Sequence, residues 1–126
     1  METLEKTMKT ADIARRLVDY CRKGDWKGAQ QELYSKDAVS IEQEASPVFE
    51  KETKGLDAIF EKGEKFDSMV EKVHKISVSE PLIAGNSFAF VLNLDVKMKG
   101  QERMDSPEIC VYEVKDGKIV SEQFFM

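Results

Sequence analysis

The residues best suited to chemistry lie near the carboxyl end of the chain, where two alternating segments flank Asp116-Gly117. An Asp-Gly pair between alternating strands is a strong signal for a two-residue hairpin loop. The resulting register predicts the pairs Lys115–Lys118, Val114–Ile119, Tyr112–Ser121, Cys110–Gln123 and Glu108–Phe125. It places Glu108, Tyr112 and Gln123 on one face. An acid, a phenol and an amide together suit either a small-molecule pocket or a dimer interface, and the sequence leaves both open.

Two further side chains are candidates for proton transfer. His74, the only histidine, begins a predicted strand. It is either the acid–base partner of a carboxylate or a hydrogen-bonded structural histidine. Glu42 ends a short predicted strand, 38–42, and is either a general base or an ordinary carboxylate of the acidic loop that follows. That loop, 43–54, is predicted to be mobile or lid-like.

The spacing of apolar residues predicts which elements position these side chains. Helices are predicted from about Leu4 to residue 23, over 26–34 and from residue 56 to Val73, with Gly24 ending the first and Asp25 capping the second. The charged side of the third helix, which includes Lys62, is predicted to face solvent. From His74 onward the period becomes two, and the even-numbered residues of 88–98 share one face. Helices followed by an antiparallel meander predict an α+β domain.

Composition limits the classes of function. The 126 residues suit one domain, 1–126, with a core over about 11–125. With 19 basic and 24 acidic residues the net charge is −5, which argues against a nucleic-acid or anionic-membrane partner. The chain carries neither a signal-peptide pattern nor a long apolar run, so a cytoplasmic location is expected.

The sequence also lacks the usual cofactor motifs. Cys21 and Cys110 show neither a CxxC nor a metal-ligand spacing, so both are interpreted as small buried hydrophobic residues and no metal site is expected. No phosphate-binding loop, nucleophile elbow or dinucleotide fingerprint is present. We therefore expect chemistry, if there is any, to proceed without a cofactor.

Three segments together resemble a known family: GDWKGAQQELYSKDAVSIE (24–42), KGLDAI (54–59) and VYEVKDGKIVSEQFF (111–125). Their order and spacing resemble the SnoaL-like branch of the nuclear transport factor 2-like superfamily over about residues 11–125. The resemblance implies a cone-shaped α+β barrel, in which a strongly curved antiparallel sheet wraps around a long helix and leaves a pocket at one end. It also implies a homodimer packed sheet to sheet.

The resemblance implies two alternative functions, because relatives include polyketide cyclases, a ketosteroid isomerase, dehydratases and non-catalytic binding domains. One is a cofactor-independent isomerase, cyclase or dehydratase that transfers protons on a small apolar carbonyl compound. The other is a non-catalytic ligand-binding or dimerisation domain. The isomerase's base falls at Glu42, but its oxyanion-binding tyrosine falls at Leu17, which argues against steroid-type isomerisation. The cyclases' Trp-acid pair falls at Gln123-Phe124, and the neighbouring Glu122 is predicted to face away.

Overall fold

The computed structural model describes residues 8–126, so the predicted helical position Leu4 lies outside the described residues. The described residues form three helices and one seven-stranded sheet. The elements are α1 (Thr10–Lys23), α2 (Trp26–Leu33), β1 (Tyr34–Ile41), β2 (Glu52–Lys54), α3 (Leu56–Met69), β3 (Val70–Val78), β4 (Leu82–Ala84), β5 (Ser87–Met98), β6 (Arg103–Lys115) and β7 (Lys118–Phe125).

The junction between α1 and α2 forms as its residue types predict. Gly24 adopts the left-handed conformation, with φ of 71°, and its N–H donates to the carbonyl of Cys21. Asp25 then accepts a hydrogen bond from the Gly28 N–H at 2.9 Å, which satisfies one of the free donors at the start of α2. The glycine stop and the aspartate cap are both confirmed.

The predicted boundary of the third helix is wrong. Helix α3 ends at Met69, and strand β3 begins at Val70 rather than at His74. The helical spacing of the apolar residues continues to Val73, but the β-branched Val70 and Val73 also suit a strand, and pairing with β5 decides between the two. The pairing shifts register between Val73 and Lys75, and the His74 side chain is exposed there.

The sheet is curled and not closed. Its strand order is β2-β1-β7-β6-β5-β3, and β4 pairs with β5 beyond this path. Strand β1 runs parallel to β7, whereas every other described pairing is antiparallel. The concave face carries the core, where α1 residues such as Leu17 meet the even-numbered residues of β5. The predicted α+β cone and the shared face of 88–98 are confirmed, as is the burial of Cys21 and Cys110, which are unpaired thiols.

The hairpin between β6 and β7 contains a bulge that the sequence does not predict. Asp116 and Gly117 form the loop with φ of 52° and 76°, as expected for this turn. Val114 pairs with Ile119, but Glu113 pairs with Ser121, so one extra residue, Val120, sits in β7. A β-bulge of this kind shifts the register by one residue, which turns all later side chains to the opposite face.

The predicted hairpin pairs beyond the bulge are therefore wrong. Tyr112 pairs with Glu122 instead of Ser121, and Cys110 pairs with Phe124 instead of Gln123. Gln123 lies on the convex face, opposite Val111. Glu122, which was expected to face away, lies on the concave face with Tyr112.

No helix among residues 8–126 is both long enough and apolar enough to cross a membrane.

Candidate functional site

A cavity of about 330 Å³ lies between the three helices and the concave face of the sheet. Most of its wall is apolar, and a small number of charged and hydroxyl side chains enter it from four elements and the segments that flank them. The residues that line the cavity include Leu17, Tyr34, Glu42, Phe49, Ile59, Lys62, Gly63, Phe66, Glu108, Tyr112, Glu122 and Phe124.

One face of α3 supplies both apolar wall and a cation. Ile59, Lys62, Gly63 and Phe66 lie three, four and seven positions apart and therefore share a side of the helix. The Lys62 side chain is only 16% exposed, forms an ion pair with Glu42 and donates to Ser40 Oγ at 3.0 Å. The predicted solvent-facing role is wrong for Lys62, because its helical position between two cavity-lining hydrophobic residues directs it inward.

Glu108 is the carboxylate in the most unusual environment. It projects from β6 into the cavity, and burial raises the pKa of Glu108 to about 7, with the nearby negative charge of Glu42 adding to the shift. The weak Cys110 thiol donor, 3.8 Å from Glu108 Oε1, acts in the opposite direction. A carboxyl group of this kind exchanges a proton near neutral pH, as a general acid or base must.

Glu122 is more deeply buried, with 6% of the residue exposed. Burial raises the pKa of Glu122, partly offset by hydrogen bonds from the hydroxyls of Ser40 and Tyr34 and by the charge of Lys62. The Tyr34 hydroxyl donates directly to Glu122 Oε1. Since the charged form is disfavoured and its oxygens already have donors, Glu122 is suited to supporting the site rather than to contacting a ligand.

These contacts join into one polar chain, Tyr34–Glu122–Ser40–Lys62–Glu42, running from the core to the cavity. Ser40 is fully buried and pairs with Glu122 across the parallel β1–β7 pairing. Because Ser40 accepts from Lys62, its own hydroxyl hydrogen is available for Glu122. The polar chain thus anchors the Lys62 ammonium through groups that have little freedom to move.

Tyr112 occupies the apolar part of the wall. Its ring stacks on that of Phe88, with centroids 4.9 Å apart, and packs at a tilt of 31° against that of Phe90 at 5.3 Å; 3% of the residue is exposed. Burial raises the pKa of Tyr112 well above its ordinary value, so its phenol stays protonated. This residue shapes the cavity and does not act as a base.

The structure thus brings together three of the five candidate residues: Glu42, Glu108 and Tyr112. Gln123 lies on the convex face, and His74 is exposed on β3; neither is among the lining residues. The sequence reasoning missed Lys62 and Glu122. The spacing of Lys62 from Ile59 and Phe66 is a usable signal, whereas Glu122 depends on the bulge, which no residue type announces.

The described residues offer little for a metal ion. Over residues 8–126, no group of three or more His, Cys, Asp or Glu side chains is placed to hold one. The cavity carboxylates are instead paired with a lysine, hydrogen-bonded to hydroxyls or set in an apolar wall.

Comparison with known proteins identifies the family. A sequence model described as the SnoaL-like domain matches residues 8–126, and the chain belongs to this family. A SnoaL-like protein of known structure from Mesorhizobium loti is 31% identical, with a TM-score of 0.87 over 94% of this chain and 100% of its own. A search of curated proteins found no match.

More distant structures share the fold. An NTF2-like protein of unknown function from Burkholderia pseudomallei is 12% identical, with a TM-score of 0.79 over 94% of this chain and 92% of its own. TerC, co-crystallised with polyporic acid, is 14% identical, with a TM-score of 0.75 over 94% of this chain and 92% of its own. At these identities the likeness concerns the fold alone.

Proposed function

We propose that this protein catalyses a cofactor-independent proton transfer on a small, largely apolar carbonyl compound, as an isomerase, cyclase or dehydratase. The observation that carries the proposal is the Glu108 carboxyl group, which lies in an apolar wall and has its pKa raised to about 7. A base of that strength is partly deprotonated at neutral pH and becomes an effective acid once it has taken up a proton.

We assign the proton to Glu108 rather than to Glu42. The Glu42 carboxylate is already engaged in an ion pair with the Lys62 ammonium. Glu108 forms no ion pair within residues 8–126, and the charge of Lys62 acts on it only as a minor influence. In this division of roles Glu42 balances the charge of Lys62, while Glu108 is the catalytic residue that exchanges a proton with the substrate.

The proposed step is abstraction of a proton from the carbon beside a carbonyl group. The proton forms a bond with a Glu108 oxygen, the C–H electron pair moves into a new carbon–carbon double bond, and the carbonyl oxygen takes up the negative charge. Return of the proton to another atom isomerises the substrate. Loss of a β-hydroxyl from the same intermediate, with the proton from Glu108, dehydrates it. The apolar wall excludes water, which would otherwise compete for the proton.

The size of the cavity and one relative support a small ligand. A volume of about 330 Å³ lies at the lower end of the range for ligand pockets, which favours a compact molecule. TerC, which has the same fold, has been co-crystallised with polyporic acid. Phe49, from the segment between β1 and β2, lines the cavity, and we propose that this segment closes over a bound ligand.

Hydrogen–deuterium exchange at carbon tests the proposal without knowledge of the true substrate. Small enolisable ketones are incubated with the protein in D₂O, and loss of their α-proton signals is followed by NMR. We expect exchange above the buffer rate for at least one ketone, reduced by about 10²-fold or more in Glu108→Gln. Glu113→Gln is the matched control, because Glu113 lies on the same strand but is exposed on the convex face.

The alternative is a non-catalytic binding domain of the same fold, favoured by Leu17, which contributes no hydrogen-bond donor to the cavity wall. Ketones that bind, as seen by a rise in thermal stability, without any exchange above the buffer rate would support that alternative. Equal exchange in Glu108→Gln and the wild type would refute the role of Glu108.

We further propose a homodimer formed through the convex face of the sheet. Val91, Ile109 and Phe125 lie side by side across β5, β6 and β7 and are 40%, 49% and 40% exposed. A contiguous row of exposed apolar side chains on a sheet is typical of a protein–protein contact.

A further inference from the structure

We infer that Lys62 binds an anionic oxygen of the ligand, so that the cavity selects small compounds with a weakly acidic hydroxyl group, namely enols and phenols. This inference rests on the cavity of the proposed function but concerns the ligand's oxygen, not the carbon that exchanges a proton. The contact between Lys62 and a ligand oxygen is separate from the positions that the resemblance to isomerases and cyclases points to, which include Leu17 and Gln123-Phe124.

The first argument is the donor capacity of Lys62. An ammonium group carries three N–H donors. Among the described residues, Ser40 Oγ accepts one at 3.0 Å and Glu42 accepts another, so one donor remains for a ligand. Lys62 lines the cavity, with Nζ 5.7 Å from the ring centroid of Phe124, and a ligand oxygen at this end of the cavity can reach it.

The second argument is the state of the other donors. The Tyr34 hydroxyl is committed to Glu122, and Leu17 has no donor. A charged donor makes hydrogen bonds roughly twice as strong as a neutral one, and more so in an apolar cavity. Lys62 is therefore the strongest group at the site for an oxygen that develops negative charge, and the polar chain holds it ready for that charge.

The third argument is the charge balance. When a hydroxyl compound binds, its O–H bond breaks, the electron pair stays on the oxygen next to Lys62, and the proton forms an O–H bond with the Glu108 carboxylate. The total charge in the cavity is unchanged by this transfer. Glu42 stays in contact with Lys62, and Glu122 keeps the hydrogen bonds that it accepts from Tyr34 and Ser40.

A coloured phenol tests the inference. The full chain is titrated with a nitrophenol whose ionised form alone is strongly coloured, at a pH below the phenol's own pKa. We expect the wild type to raise the fraction of coloured phenolate on binding. Lys62→Gln is expected to abolish this colour change and to weaken binding by about tenfold or more. Lys72→Gln, at an exposed position on β3, should behave as the wild type.

The methyl ether of the same nitrophenol separates an electrostatic role from a structural one, since it cannot ionise. It should bind the wild type and Lys62→Gln with equal affinity. Equal colour change in both proteins, or an equal loss of phenol and ether binding in Lys62→Gln, would overturn the inference.

Glu42→Gln provides a second, independent variant. It removes the carboxylate that competes for the Lys62 ammonium, so nitrophenolate binding should become tighter while ether binding stays unchanged. Weaker phenolate binding in Glu42→Gln would contradict the inference, even if Lys62→Gln fails to fold. Lys62-dependent phenolate binding without carbon exchange refutes only the proposed catalysis, whereas carbon exchange without such binding refutes only this inference.

Discussion

The two faces of the β6–β7 hairpin reverse the usual distribution of polar and apolar residues. On the concave face Glu108 and Glu122 point into an apolar cavity. On the convex face Ile109 and Phe125, from the same strands, are 49% and 40% exposed. Soluble proteins normally expose their carboxylates and bury their isoleucines and phenylalanines.

This difference separates two kinds of function. Buried carboxyl groups cost stability unless hydrogen bonds or cations compensate them, so their presence inside indicates chemistry or ligand binding. Exposed apolar rows gain nothing in a monomer and indicate a partner. The concave face is therefore the candidate site, and the convex face the candidate interface.

The largest expected effect contrasts two isoleucines on the opposite faces. Ile119 is fully buried and Ile109 is half exposed. We expect Ile119→Ala to lower the free energy of unfolding by about 2–5 kcal/mol, because it leaves a cavity in the core, and Ile109→Ala by less than about 1 kcal/mol. Urea unfolding at low protein concentration, where any dimer is dissociated, measures both. Equal losses would contradict the assignment of the two faces.

A smaller, pH-dependent effect is expected for Glu108→Gln. The folded-state pKa of Glu108 is raised from 4.5 to about 7, so the contribution of this group to stability is fully present below the unfolded pKa and is lost as the pH rises through about 7. Glutamine does not titrate. We expect Glu108→Gln to gain about 2 kcal/mol over the wild type between pH 5 and pH 8, as measured by chemical unfolding.

Glu113→Gln is the control on the convex face and should show no such gain. A Glu108→Gln variant whose stability relative to the wild type is the same at pH 5 and pH 8 would contradict the raised pKa.

The smallest expected change in stability accompanies the largest change in assembly. Ile109→Lys on the convex face should convert a dimer to a monomer, because it puts a charge in the centre of the proposed apolar contact. Its effect on the monomer should stay within about 0.5 kcal/mol. Light scattering after gel filtration measures the mass, with Gln101→Lys, in the exposed β5–β6 turn, as the control. A wild type that remains monomeric at high concentration would refute the interface.

Much of the fold could be predicted from local patterns. The Gly24 stop, the Asp25 cap and the Asp116-Gly117 turn each depend on a backbone requirement that few residue types meet. The end of α3 could not be predicted in this way. Its apolar spacing continues into β3, and only pairing with a strand more than 20 residues away decides where the helix ends.

The candidate site was predictable to a lesser degree. Glu108 and Tyr112 follow from strand alternation on β6, before the bulge in β7 has any effect. The faces of Gln123 and Glu122 are the reverse of the prediction, because a single extra residue in β7, Val120, shifts the register of the hairpin. The charge of Lys62 predicts that it faces solvent, but its position on α3 directs it into the cavity.

The sequence by itself determined the family, the order of helices and strands, and the candidate side chains Glu42, Glu108 and Tyr112, since these follow from residue type and spacing. Only the tertiary structure decided which of those side chains meet. The bulge in β7 brings Glu122 to the concave face, and the packing of α3 against β1 joins Lys62 to Ser40 and Glu42. The raised pKa of Glu108 likewise depends on burial and on a neighbouring charge from a distant part of the chain, neither of which exists until the sheet curls around the helices.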